Sequence, residues 1–205
     1  LFPLPAVERL AEDVVLLRGF ADPAPLLEAI HTLAARAPFR ILRTRAGPMS
    51  VAMSNCGEWG WHSDEHGYRY VDRDPETGLA WPAMPATFRD LARRAADSAG
   101  FAAFDPDCCL INRYAVGAKM GTHRDFDELD MTHPIVSVSL GLPASFLWYG
   151  AKRSGKPLKV ELQSGDVLVW GASARAGYHG VRKIEPPPNA DAAGVRYNLT
   201  FRRAK

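Results

Sequence analysis

Hydrophobic and polar positions change their period several times along the chain. Val14 to Arg18 is a β-branched, leucine-rich run closed by Gly19, which predicts a first strand. Asp22-Pro23 then offers an N-cap with proline at the first helical position. Leu26, Leu27, Ile30, Leu33 and Ala34 follow at helical spacing, and Ala37-Pro38 ends the helix. Beyond it, Met49 to Met53 and Tyr68 to Val71 predict short strands, Asn55-Cys56-Gly57 a turn, and residues 72–85 a loop. Phe88 to Ala99 has the spacing of an amphipathic helix ended by Gly100. From Cys109 onward the pattern is all strand: Leu110–Tyr114, a strand carrying His123, Ile135–Leu142, Ser145–Tyr149, Leu158–Leu162, Val167–Trp170, His179–Ile184 and Arg196–Phe201. Ser164-Gly165-Asp166 predicts a hairpin turn between two of them. Short strands with this turn punctuation predict a mainly β (α+β) protein, a double-sheet jelly roll preceded by helices.

Composition narrows the setting. A chain of 205 residues, 47% hydrophobic, is long enough for one domain with a sizeable core. A net charge of +2 lacks the basic excess of a dedicated duplex binder, although Arg36, Arg40, Arg43 and Arg45 lie together with no acid between them. Cys56, Cys108 and Cys109 have no framework or zinc-site spacing, which points to a reducing compartment. The opening L-F-P-L-P-A-V-E-R-L-A-E-D has no basic segment followed by an apolar core, and no apolar run approaches a membrane span, so a cytoplasmic protein with no membrane partner is expected. No heptad or unassigned apolar helix face implies an obligate protein partner, and a monomer is the default.

The candidate chemistry lies in N-R-Y-A-V-G-A-K-M-G-T-H-R-D-F-D-E, from Asn112 to Glu128. His123 and Asp125 are two apart, so an extended strand sends both side chains from one face toward one ion. Asp127 would continue that face. Such a pair is cheap: about 0.7 are expected by chance in this composition. A second, His62-Ser63-Asp64 with His66 behind it, does occur. His179, in A-G-Y-H-G-V, is the best third ligand, and two histidines with one carboxylate form the facial triad of non-haem Fe(II) oxygenases. What favours the His123 pair is the last strand, where Arg196, Asn198, Thr200 and Arg202 alternate with Tyr197, Leu199 and Phe201. Two guanidiniums on one strand face suit a dicarboxylate, which arginine binds bidentately.

Together, Asn112-x-Tyr114, His123-x-Asp125-x-Asp127, His179 and Arg196-x-Asn198-x-x-x-Arg202 resemble the AlkB family. M-S-V-A-M-S-N-C-G from Met49, W-P-A-M-P from Trp81 and S-V-S-L-G-L-P from Ser137 extend the resemblance over most of the chain. It implies a double-stranded β-helix holding Fe(II) through His123, Asp125 and His179, with 2-oxoglutarate and dioxygen as cosubstrates. Residues 109–205 would form this catalytic core, and residues 1–108 an N-terminal extension with a nucleotide-recognition lid. Beside the arginine clamps, Leu110, Asn112, Tyr114 and Asn198 are implied to complete the 2-oxoglutarate pocket. The implied reaction is oxidative demethylation of alkylated bases in DNA, single-stranded first, with double-stranded DNA and RNA left open.

Bases such as 1-methyladenine and 3-methylcytosine are cationic, so a reader needs π faces and a carboxylate. Trp61, Tyr68 and Tyr70 supply the faces and Asp127 the charge. The resemblance adds Arg153 as a substrate contact, and His62, Asp64 and His66 read as polar lid surface. Val116 and the bulky Leu147-Trp148-Tyr149 depart from the family pattern and bear on which damaged base is preferred. Two rival readings share these residues: a 2-oxoglutarate oxygenase acting on RNA, protein or a small molecule, and a non-enzymatic jelly roll with a structural metal.

Overall fold

The computed structural model describes residues 6–186 and 194–205. Residues 1–5, part of the opening segment weighed above, lie outside them. A hairpin begins the described chain, β1 (Val7–Ala11) against β2 (Val14–Leu17), turned at Asp13 with a φ of 56°. Helix α1 (Pro23–Arg36) follows, and the Asp22 carboxylate accepts from the Ala24 amide at 3.1 Å as its N-cap. Next come β3 (Arg40–Thr44), β4 (Gly47–Gly57), the hairpin β5 (Gly60–Asp64) and β6 (Gly67–Val71), and α2 (Ala86–Ser98). Eight strands complete the fold: β7 (Cys108–Tyr114), β8 (Met120–His123), β9 (Ile135–Gly141), β10 (Ala144–Gly150), β11 (Leu158–Leu162), β12 (Val167–Trp170), β13 (Tyr178–Val181) and β14 (Arg196–Arg202).

These eight divide evenly between two sheets, as a jelly roll requires. The order β12-β9-β14-β7 is flanked by β1-β2 on one side and β4-β3 on the other, giving one sheet of eight. Facing it, β11-β10-β13-β8 forms a sheet of four. In the large sheet the period-2 alternation sends one set of side chains to the helices and the other between the sheets. Val15, Val136, Val138, Val167, Leu199 and Phe201 pack against Leu26, Ile30, Phe88 and Leu91 of α1 and α2. On the opposite face Val14, Leu16, Ile135, Leu168 and Trp170 meet Phe146, Trp148, Val160 and Leu162 of the small sheet. That inner layer is apolar at the β2-β12 end and turns polar along β9, β14 and β7, where Ser137, Ser139, Arg196, Asn198 and Asn112 point inward. The change of polarity inside the sandwich creates the site.

Four local expectations are corrected. Asn55-Cys56-Gly57 is the end of β4, paired with Leu110, Cys109 and Cys108, and not a turn. The chain turns after Gly57, at φ 119°, where a Cβ would strike the Asp107 carbonyl. Ser164-Gly165-Asp166 does turn, but β11 pairs with β10 and β12 with β9 and β2, so the turn passes the chain between sheets and makes no hairpin. Asp125 and Asp127 lie beyond the end of β8 and share no strand face with His123. Strand β1 had no signal in the sequence because it is an edge strand with largely exposed side chains, lacking an apolar face.

Candidate active site

Register brings the two histidines together, since His123 on β8 lies directly opposite His179 on β13, with ring centroids 4.4 Å apart. Gly180, next to His179, suits the close pairing of β13 with β8, because a Cβ there would lie 3.0 Å from the Met120 carbonyl oxygen. Each imidazole is oriented by a backbone carbonyl: Nδ1 of His123 lies 2.8 Å from the Gly121 oxygen and Nδ1 of His179 3.0 Å from the Gly177 oxygen. A carbonyl only accepts, so Nδ1 carries the proton and Nε2 keeps a free lone pair. These Nε2 atoms face Asp125, at 3.8 Å from its Oδ1 for His123 and 3.9 Å from its Oδ2 for His179. One ligand atom from each residue lies within 4.8 Å of the others, a cluster that could hold a metal ion. Burial, then the proximity of His123, push His179 down to about 4, so its imidazole is neutral at physiological pH, the form that binds a metal.

Asp125 is held in place without a strand. Arg202 Nη2 donates to its Oδ2 at 2.9 Å, and Arg175 Nη1 donates to its backbone carbonyl at 3.1 Å while Nε donates to His133 O at 2.9 Å. Burial would push the carboxyl up, but Arg202 and then the two imidazoles outweigh it and hold Asp125 below the usual carboxylate range. Glu128 ties this corner to the β5-β6 hairpin. It accepts from the Tyr70 hydroxyl at 2.6 Å and pairs with Arg175 at 3.0 Å and Arg202 at 3.3 Å, its own side chain almost fully buried. Sequence reasoning missed Glu128 and Arg175.

A cavity of about 470 Å³ opens beside this cluster. Every residue singled out in the sequence as a metal, 2-oxoglutarate or substrate contact lines it except Tyr70. Tyr70 is only 8% exposed and sits behind the cavity with its hydroxyl taken by Glu128. Tyr70→Phe therefore is expected to remove one charge-assisted bond and destabilise the metal-free protein by about 1–3 kcal/mol. Thermal unfolding would read this as a loss of several degrees; an unchanged midpoint would show that the bond contributes nothing net.

Arg196 is 1% exposed and donates only from Nη2, to Ser139 Oγ at 3.1 Å; its Nε and Nη1 have no partner. Nη1 of Arg202 and the carboxamide oxygen of Asn112 are likewise buried and unpaired. Asn198 is held by Ser137 at 2.8 Å, Thr200 at 2.9 Å and Asn112 at 3.3 Å. Ser137 and Thr200 were not assigned from sequence, though serine at alternate positions of I-V-S-V-S was the available signal. Two buried guanidiniums with spare donors, beside a two-histidine, one-carboxylate cluster, fit a dicarboxylate cosubstrate that also ligates iron.

At the cavity mouth Asn55 grips the backbone of Trp61, accepting from its amide at 3.0 Å and donating to its carbonyl at 3.1 Å. The Trp61 ring stacks on Tyr68 at 5.4 Å and 23°, and Nε1 donates to Asp127 Oδ2 at 3.0 Å. The competing His62-Ser63-Asp64 set faces away from the cavity, where Arg69 bonds Asp64 through two donors across the β5-β6 hairpin.

This fold and this cluster define an iron- and 2-oxoglutarate-dependent dioxygenase, and the chain belongs to the 2OG-Fe(II) oxygenase superfamily, whose pattern matches residues 13–202, and within it to the AlkB family. It is 49% identical over 203 residues to the alpha-ketoglutarate-dependent dioxygenase AlkB of Salmonella typhimurium, covering 98% of this chain and 94% of the relative. The DNA N(6)-methyladenine demethylase ALKBH1C of Arabidopsis thaliana is 32% identical over 170 residues, 70% of this chain and 37% of that protein. The solved structure of OsALKBH1 superposes with a TM-score of 0.82 at 30% identity, covering 97% of this chain and 100% of that one.

Proposed function

We propose that the chain removes methyl groups from cationic alkylated bases of the 1-methyladenine and 3-methylcytosine type, in single-stranded DNA first, as a monomer in the cytoplasm. The observation that carries this reading is the Trp61–Tyr68 stack anchored by the Asp127 carboxylate at the mouth of the cavity that holds His123. A methylated cationic base presents a flat ring to Trp61 and its charge to Asp127. The reacting base must leave its stack to enter such a cavity, which an unpaired strand makes cheapest. Three buried free thiols support the reducing compartment.

His123, Asp125 and His179 would hold the iron, and Arg196, Arg202, Asn112, Tyr114, Asn198 and Leu110 would hold 2-oxoglutarate. When bound, iron with 2-oxoglutarate and dioxygen supplies the oxidation: 2-oxoglutarate becomes succinate and CO2, and the hydroxylated N-methyl group leaves as formaldehyde. The chain's own part is placement. Arg202 holds Asp125 through Nη2 and keeps a buried, unpaired Nη1 that would meet the cosubstrate. Phe146, Trp148 and Trp170 surround the His179 ring and keep water from it. Trp61 and Asp127 would orient the base, and Arg153, which lines the cavity, would contact the substrate.

The test is an Fe(II), 2-oxoglutarate and oxygen assay on a single-stranded oligonucleotide carrying 3-methylcytosine, read by mass. Loss of the methyl group with matching succinate and formaldehyde is expected. Trp61→Ala should lower kcat/KM by about 10- to 100-fold, as stacking is worth about 1–3 kcal/mol per base. Succinate without methyl loss would move the substrate to protein, RNA or a small molecule.

A further inference from the structure

Beside the cavity mouth the chain turns an aromatic ring outward. Phe126 is 56% exposed and belongs to no core cluster, although it sits between Asp125 and Asp127. Its ring is backed by the Arg124 guanidinium, 4.5 Å from the ring centre, and Arg124 in turn lies 5.3 Å from the Tyr178 ring. Arg124 and Tyr178 line the cavity. Among the described residues Arg124 has no carboxylate partner, so its charge is spent only on these two π faces. The result is a layered stack, Phe126 on Arg124 on Tyr178, whose outer face is open to solvent.

Such a face suits a nucleobase better than a protein side chain. It pairs a free π surface with a positive charge, the combination that holds an unpaired base and its phosphate. Phe126 adjoins Asp127, whose carboxylate is bonded to Trp61, so the platform and the lesion pocket are one residue apart, about 3.8 Å between Cα atoms.

We infer that Phe126, backed by Arg124 and Tyr178, is a stacking platform for the unpaired base next to the lesion. The inference rests on the nucleic-acid reading above and adds a source of strand preference. A neighbour inside a duplex is held there by its own base pair and its remaining stacked face, whereas one in a single strand is free to turn onto the platform.

The experiment measures affinity, not turnover. Protein loaded with Mn(II) and 2-oxoglutarate is titrated by fluorescence anisotropy into a single-stranded pentanucleotide with central 3-methylcytosine. The oligonucleotide is compared with versions abasic on the 5′ or the 3′ side of the lesion. The wild type should lose about 5- to 100-fold in affinity when one of the two neighbours lacks its base. Phe126→Ala should show that loss already on the intact oligonucleotide and little more on the abasic one, the non-additivity of two groups in contact. Phe126→Trp should restore the dependence on the base. Equal losses for Phe126→Ala on intact and abasic strands, or a wild type indifferent to both neighbours, would overturn the platform. Base-dependent binding without methyl loss by the Fe(II) enzyme would leave the platform standing and sink the demethylase reading.

Discussion

Replacing Arg196 by methionine is expected to abolish the response to 2-oxoglutarate while making the cosubstrate-free protein more stable. The two effects share one cause. Arg196 is buried between the sheets with only Ser139 and the face of Tyr114, 5.7 Å away, to compensate its charge. Burial pulls its guanidinium below the usual arginine value, which marks how poorly the empty fold accommodates the ion. Exchanging a buried ion pair for well-packed apolar side chains is often neutral or stabilising by about 1–4 kcal/mol, and this residue lacks even a full ion pair to lose. With a dicarboxylate present the balance reverses, because the unpaired Nε and Nη1 offer a carboxylate two donors in a dry site. Truncating one partner of such a pair costs about 2–5 kcal/mol, or roughly 30- to several-thousand-fold in affinity. Thermal unfolding of the Mn(II)-loaded protein with and without 2-oxoglutarate reads both effects: Arg196→Met should raise the first midpoint and erase the shift between them. A variant that keeps the shift, or whose cosubstrate-free midpoint falls by several degrees, would show that Arg196 is a structural residue.

The same buried arginine marks what a sequence can and cannot disclose here. The strands from β7 to β14 were legible because each is short and bounded by turn residues and, except for β8, which its His123 motif marks, carries apolar positions. Alternation along β14 separated Arg196, Asn198 and Arg202 from Leu199 and Phe201, and the structure keeps that division. What alternation could not say is that the polar face is also buried, since burial depends on which sheet lies opposite. Turn chemistry at Ser164-Gly165-Asp166 was visible, but a turn does not reveal whether the next strand pairs with the last or crosses to another sheet. His123 and Asp125 do converge, though by a different route from the strand face expected. The strand ends at His123, and Arg175 and Arg202 steer the following loop back. Glu128 and Arg175 carry no assignment from the sequence, because nothing local distinguishes a solvated ion from one buried against a partner 47 residues away. Tyr70 shows the converse: the sequence offers it with Trp61 and Tyr68 as a face for the base, yet its hydroxyl is turned inward to Glu128.

Asp125→Ala and His123→Ala should lose metal binding and turnover alike, by about 10³-fold or more, yet differ sharply in the stability of the metal-free protein. With either residue removed, two protein ligands remain and the facial triad is broken. Their surroundings are not equivalent. The His123 side chain is 38% exposed and is held mainly by its own strand through Gly121. Its truncation removes little packing and leaves no buried charge behind, so a stability change within about 1 kcal/mol is expected. Asp125 is the counter-ion of Arg202, at 2.9 Å, with its side chain 12% exposed against a buried guanidinium. Without it that guanidinium keeps only Glu128, which already serves Tyr70 and Arg175. Breaking a buried pair by removing one partner costs about 3–5 kcal/mol, which in a chain of this size lowers the midpoint by roughly 10 °C. Asp125→Asn, which keeps the shape and offers an amide oxygen to Arg202, should fall between the two while still failing to turn over. Calorimetry of the three metal-free variants makes the comparison, with metal binding followed by the thermal shift on adding Mn(II). Equal stabilities for Asp125→Ala and His123→Ala would mean that the Arg202 contact holds Asp125 for the metal alone and contributes nothing to the fold.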